Sequence, residues 1–286
     1  MRHSTGITSI CYINLDRATE RRATIEENLA KFAGPGVAIH RIRAVNEDCV
    51  ARHKIAGTAT HSEKACFLSH RRAIKRSLNT PGCTLILEDD AQLCSRTIPV
   101  LNVLLHAASE NFDVLFTDLC VTSVQAMLSL FKLRREQTRS QCAGIFQTQL
   151  LDNFVGATAY VLDDRSKRKL LSALKQDHSI NLPYDLFLVA GIRAGTLTSG
   201  YCFPFLTTLS PHASNSQIQP DNSLLYNMVW NDFRRLMFLD ADTTQAGKLL
   251  LDVNQIGEDF CDREAFYFTS ILKVILSDKF PELRLY

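Results

Sequence analysis

Three carboxylates in succession, Glu88, Asp89 and Asp90, are the residues of this chain whose type and spacing most directly imply chemistry. Adjacent carboxylates repel one another, so a fold that gathers them needs a cation to neutralise the charge. Mg2+ and Mn2+ are hard ions that take oxygen ligands, commonly one or two protein carboxylates together with substrate phosphates. The run therefore reads as a metal bridge to a diphosphate, with a solvated turn as the plainer alternative. Asn14, Arg17, Arg21 and Arg22 form a second candidate group, because the arginine fork donates paired hydrogen bonds to phosphate oxygens. Arg17 follows a strand end. Arg21 and Arg22 either join it or lie exposed on the first turn of a surface helix. His70 is either a satisfied core histidine or a phosphate contact, and Asp118 either serves the site or caps the helix that follows it.

The elements that must position these residues are legible around them. Thr60 and Glu63 stand in the relation of a capping box, which opens a helix whose face carries Phe67, His70, Ile74 and Leu78. Pro81-Gly82 stops it. Cys83 to Leu87 is apolar except for Thr84, the pattern of a parallel strand covered on both faces, and such a strand delivers Glu88 to Asp90 to the carboxyl edge of a sheet. Upstream, Ile7 to Leu15 reads as a strand. A helix from about Thr19 carries Ile25, Leu29 and Phe32, and a second strand runs from Val37 to Ile42. This β-α-β opening lacks both the dinucleotide fingerprint and the Walker P-loop. The polar stretch Asn46 to Thr60 reads as loop or short helices over the site.

Downstream, Phe112 to Leu119 and Asn153 to Leu162 read as strands. Val124 to Arg135, with Arg139 beyond, is a basic amphipathic segment suited to an anionic membrane surface or to solvent. A helix over Asp164 to Leu174 carries Arg165, Lys167, Arg168 and Lys169 as a basic face. From about Ser223 the pattern is helical. Within it, Leu236 to Thr244 fits the D-x-D-x-T pattern of haloacid dehalogenase-type phosphatases. Too little chain remains for the strands such a phosphatase needs, so Asp240 and Asp242 are assigned to a helix end or N-cap.

At 286 residues and 46% hydrophobic content the chain can bury one large core or two unequal ones. A net charge of +2 and a pI near 8.1 argue against nucleic acid as the main partner. No apolar run approaches the roughly 18 residues that span a bilayer, and the N-terminus turns polar too soon for a secretory signal, so a cytoplasmic start is expected. Nine cysteines without C-x-x-C spacing read as reduced thiols.

The sequence EKACFLSHRRA followed by LILEDDA resembles glycosyltransferase family 25, the family of lipooligosaccharide and procollagen galactosyltransferases. INLDRATERR, the NFVGATAYVL segment, Pro183-Tyr184-Asp185-Leu186 and SNSQIQ resemble further family segments, and the likeness covers roughly residues 7 to 220. The resemblance implies an α/β fold of the GT-A glycosyltransferase type over 1–220, with a helical C-terminal extension over 221–286. It further implies a metal-dependent inverting transfer of a hexose, galactose from UDP-galactose foremost, to a glycan or glycolipid acceptor. Catalytically inactive binding by the same fold is the alternative reading. On the resemblance Glu88 and Asp90 would hold Mn2+ or Mg2+, with His212 as a further ligand by analogy to GT-A enzymes. Asn14, Arg17, Arg22, His70, Asp89 and Gly156 would serve the nucleotide-sugar. Asp185 would be the base that deprotonates the acceptor hydroxyl, or an N-cap of the next helix. Tyr184 departs from the usual valine. A glycolipid acceptor would bring the enzyme to the membrane periphery.

Overall fold

A computed structural model of the chain describes residues 6–108, 112–140, 143–151, 153–176, 179–210 and 224–241. The chain divides into two units, Met1–Ala241 and Asp242–Tyr286; the second lies outside the described residues. The first begins with β1 (Ile7–Asn14), α1 (Thr19–Phe32) and β2 (Ala38–Arg43), followed by α2 (Glu47–Arg52) in the polar stretch, α3 (His61–Ser77) and β3 (Cys83–Glu88). Then come β4 (Ala91–Gln92), α4 (Thr97–Ala107), β5 (Val114–Phe116), β6 (Cys120–Val121), α5 (Val124–Ser140), β7 (Gly144–Gln147), β8 (Phe154–Val155) and β9 (Ala159–Leu162). The unit closes with α6 (Asp164–Gln176), α7 (Tyr184–Arg193), β10 (Ser199–Phe203), β11 (Thr208–Leu209) and α8 (Leu224–Leu236).

Seven strands form one mixed sheet in the order β2-β1-β3-β9-β5-β10-β7. β1 runs parallel to both β2 and β3, whereas β9 is antiparallel to both β3 and β5. The sheet lies between helices, the α/β arrangement expected from the sequence. β3 is parallel to one neighbour and antiparallel to the other, because an apolar run reports that both faces are covered and carries no information about the direction of each neighbour. The coverage itself is real. Leu85 and Leu87 pack with Ile25 and Leu29 of α1 and with Ile98 and Leu101 of α4. Ile86 faces the opposite layer, with Phe67 and Ile74 of α3, Leu170 of α6 and Leu188 of α7. Alternating sides along the strand follow from its two-residue period.

The capping box is formed, with Thr60 Oγ1 accepting from the Glu63 N–H and Glu63 Oε2 accepting from the Thr60 N–H. It fixes where α3 begins, and hence which residues face the sheet. The turn before β3 is fastened by Lys167, whose fully buried ammonium donates to the carbonyls of Thr80 and Gly82 and to Asp164. The sequence reading placed Lys167 on a basic outer face. The long aliphatic stem instead reaches inward and the carbonyls of an adjacent turn satisfy its charge.

The strand expected over Asn153 to Leu162 is interrupted into β8 and β9, with Gly156 between them at φ 151°. A Cβ there would make only ordinary contact, 3.5 Å from the Cys120 backbone nitrogen, so it is the positive φ that favours glycine at this position. α8 also departs from expectation. It stops at Leu236, and Phe238 bridges to Phe205 in parallel fashion, with Leu239 N–H donating to the Phe205 carbonyl. The first unit runs to Ala241 and so includes α8, whose buried Arg234 pairs with Asp118. No helix among the described residues is long and apolar enough to cross a membrane. In α5, Ala126 and Leu130 are buried, and Arg134 donates to the Phe238 and Leu239 carbonyls, so part of its expected basic face is used internally.

Candidate active site

β1 and β3 end side by side, Ile13 opposite Glu88. The chain leaves β1 toward β2 on one flank and later returns to β3 on the other. That reversal is a topological switch point, and open α/β sheets bind ligands in the crevice it leaves at the carboxyl ends. A cleft lies there, lined by Asn14, Arg17, Arg21, Cys66, His70 and the run Glu88 to Asp90.

The three carboxylates meet three different environments, because successive residues leave the strand in different directions. Glu88 faces α3, where Oε1 lies 3.1 Å from Nε2 of His70. The other ring nitrogen of His70 is 3.0 Å from the Tyr160 hydroxyl, which is 2.9 Å from that of Tyr184. The His70 ring stacks on Tyr184 with centroids 4.1 Å apart and planes 7° from parallel. Tyr184 thus orients a histidine. Burial opposes the Glu88 charge, yet the hydrogen bond and charge of His70, with Arg21 and Arg234, hold its carboxyl below the usual range.

Asp89 turns the other way. It accepts from Asn14 Nδ2 at 2.7 Å and pairs with Arg21 at 2.5 Å. Asn14 is itself oriented by Arg41, which donates twice to its Oδ1, at 3.1 and 3.0 Å. Asp90 shares Arg21 at 2.9 Å. One oxygen of Asp90, Oδ1, is buried and has no hydrogen-bond partner among the described residues. Burial, and then the Glu88 charge, push the Asp90 carboxyl up to about 7. Burial also raises Asp89, Asp118 and Asp185, with Glu88 adding to each. Asp118 is fully buried and held by Arg234 of α8 at 2.5 Å. The site is therefore short of positive charge. An orphaned carboxylate oxygen at a strand end, among carboxyls that burial makes hard to ionise, fits a divalent cation held by oxygen ligands.

Of the residues singled out by sequence, Asn14, Arg17, His70, Glu88, Asp89 and Asp90 line this cleft. Asp185 sits in the first turn of α7, where it accepts from the Leu186 N–H. It is close enough for Glu88 and His70 to act on its charge. It does not occupy the N-cap, which is Pro183. Arg22 is a correction. One residue of helix is a 100° turn, so Arg21 faces the carboxylates while Arg22 projects outward and pairs with Glu26 at 2.9 Å. Gly156 lies between β8 and β9 and is not part of the cleft lining. His212 lies outside the described residues, as does Asp242. Asp240 is exposed, lies 3.5 Å from Arg96 and follows the end of α8 at Leu236, outside the cleft.

Cys66, Tyr160, Arg41 and Arg234 are site residues the sequence reading passed over. The spacing of Cys66 and His70, four apart on a helix, is a signal that could have joined them. Arg41 and Arg234 reach the site through tertiary contacts that no local pattern announces.

No curated protein matches the chain. Among solved structures, the chain is similar in part to the apo-form glycosyltransferase GlyE of Streptococcus pneumoniae TIGR4, at 8% identity and a TM-score of 0.37. The likeness covers 68% of this chain and 45% of that one. The family model described as glycosyltransferase family 25 (LPS biosynthesis protein) matches residues 7–188, a span that contains β1, α3, the acidic run and Asp185. On that match, well over half of its length, the chain belongs to glycosyltransferase family 25.

Proposed function

We propose that this glycosyltransferase moves a hexose, galactose from UDP-galactose being the donor the family suggests, to a hydroxyl of a glycan acceptor such as lipooligosaccharide, with inversion. The observation that carries the reading is the unpartnered, buried oxygen of Asp90 beside Glu88 at the switch point. Glu88 and Asp90 would hold Mn2+ or Mg2+. When bound, such an ion acts as a Lewis acid on the departing diphosphate.

The chain's own residues supply the rest. Arg17 and Arg21 line the cleft and offer positive charge where the leaving group gains negative charge. Arg21 bridges Asp89 and Asp90; with a cation at these carboxylates, its guanidinium would be available to the diphosphate. Asn14 and Arg41 hold Asp89 in place. Asp185 takes the proton from the attacking hydroxyl as that oxygen bonds to the anomeric carbon and the bond from that carbon to the diphosphate oxygen breaks. Burial raises the Asp185 carboxyl and so strengthens it as a base. A lipid-linked acceptor would put the enzyme at the cytoplasmic face of a membrane by peripheral contact.

A donor screen tests this reading. Thermal unfolding is followed with a panel of nucleotide-sugars, with and without Mn2+. UDP-sugars should raise the midpoint in the presence of Mn2+, and UDP-galactose most. Equal protection with and without the ion, or none by any UDP-sugar, would contradict it.

A further inference from the structure

We propose that Cys66, His70 and Glu88 form a binding site for a borderline-soft divalent metal, Zn2+ in particular, on the α3 side of the cleft. Cys66 and His70 lie four residues apart on α3, one turn above the other on the same face, and the end of β3 brings Glu88 against both. Their ligand atoms lie within 4.8 Å of one another. Among the described residues no other three side chains of these types converge so closely, the run Glu88 to Asp90 included.

The geometry is near what zinc requires. Tetrahedral bonds of about 2.05 Å to nitrogen, about 2.1 Å to oxygen and about 2.3 Å to sulfur set ligand separations of roughly 3.4 Å for N to O and roughly 3.6 Å for S to O. The structure has 3.1 Å from His70 Nε2 to Glu88 Oε1 and 4.0 Å from Cys66 Sγ to the same oxygen. Both separations lie within about 0.5 Å of the zinc values.

The surroundings are also those of a ligand set. A metal-binding histidine donates its second ring N–H to a fixed acceptor, which sets tautomer and ring plane. Tyr160 stands at that position, 3.0 Å from Nδ1, with Tyr184 next to accept its proton and stacked on the ring. Three protein ligands bordering an open cleft leave the fourth position to water or a ligand. Sulfur and imidazole nitrogen favour zinc over Mn2+ or Mg2+. On binding, the Cys66 S–H bond is replaced by an S–Zn bond and the proton passes to solvent.

Glu88 belongs to this site and to the one proposed for Mn2+. If that earlier reading holds, zinc removes Glu88 from it and inhibits transfer competitively with Mn2+. The zinc site itself stands or falls separately.

The test uses the full chain, freed of metal and titrated with Co2+ as a spectroscopic stand-in. A near-ultraviolet thiolate-to-cobalt charge-transfer band should saturate at one equivalent and vanish on addition of Zn2+. Cys66→Ser should abolish it. Cys49→Ser should leave it, although Cys49 and His53 form another pair four apart, 3.6 Å between Sγ and Nδ1. In the unsubstituted protein, Zn2+ should slow alkylation of Cys66, mapped by peptide mass spectrometry, at least tenfold, and Mn2+ should not. A band that survives Cys66→Ser, or an alkylation rate at Cys66 that Zn2+ does not change, overturns the proposal. Because alkylation needs neither a variant nor turnover, zinc protection without any Mn2+-dependent donor binding would sink the function proposed above and leave this site standing.

Discussion

The sheet carries a carboxylate cluster at each of its two edges, and they differ in how completely the protein answers their charge. At the amino edge, Asp113 accepts from the Thr198 N–H and hydroxyl and pairs with Lys169 at 2.6 Å. Asp164 accepts from the Gly82 N–H and from Lys167. Burial works against both, yet the donors win and hold both carboxyls below their usual range. At the carboxyl edge, Asp89, Asp90, Asp118 and Asp185 are all raised, and Asp90 has an oxygen with no partner among the described residues. The same residue types on the same sheet are structural where donors saturate them. They are available for ligand chemistry where the protein's donors leave their charge unanswered. Perturbed carboxyls of the second kind mark functional sites.

Exchanging a residue at each edge should separate the two roles. Asp185→Asn is expected to lower kcat by about 100- to 10,000-fold, with UDP binding by calorimetry close to that of the parent. Unchanged turnover would remove Asp185 from the role of base. Lys167→Met at the amino edge is expected to cost about 3 kcal/mol in urea denaturation, since it leaves the Thr80 and Gly82 carbonyls without this donor and Asp164 without its ion-pair partner, while leaving UDP affinity alone. A loss of affinity without loss of stability would blur the distinction drawn between the edges.

The pH dependence should have opposite sign at the two edges. Asp113 has its folded pKa below the unfolded value of 3.8. Its stabilisation is therefore full above that value and disappears as pH falls through the folded pKa. Asp90 is raised from 3.8 to about 7. Between those values the metal-free folded state keeps a proton that the unfolded chain has lost, so stability declines as pH rises through that window. Asp90→Asn should flatten the decline and Asp113→Asn should not, as read from urea midpoints across the window. A wild-type slope retained in Asp90→Asn would contradict the assignment. Thr60→Ala is the smallest expected effect, about 1 kcal/mol from the lost cap of α3, with no change in the pH profile.

Much of this was readable in the chain itself. The capping box, the Pro-Gly stop and the apolar run of β3 placed the acidic cluster at a sheet edge because each is a local signal. The β-α-β opening placed Asn14 beside it. What escaped depended on distant contacts or on the side a helical residue faces. Arg21 and Arg22 look alike in sequence, and a 100° step separates a site residue from a solvent ion pair. Lys167 looks like a surface charge until the turn it fastens is known. Arg234 comes from outside residues 7–188, the span of the family match, and only the packing of α8 takes it to Asp118.

The most direct test is a calorimetric titration of UDP into the chain with and without Mn2+, repeated with Asp90→Asn. Binding that requires Mn2+ and is lost in the variant is the expected result. UDP binding that ignores the ion, or that persists undiminished in Asp90→Asn, would show that the carboxyl edge is not where the donor is held.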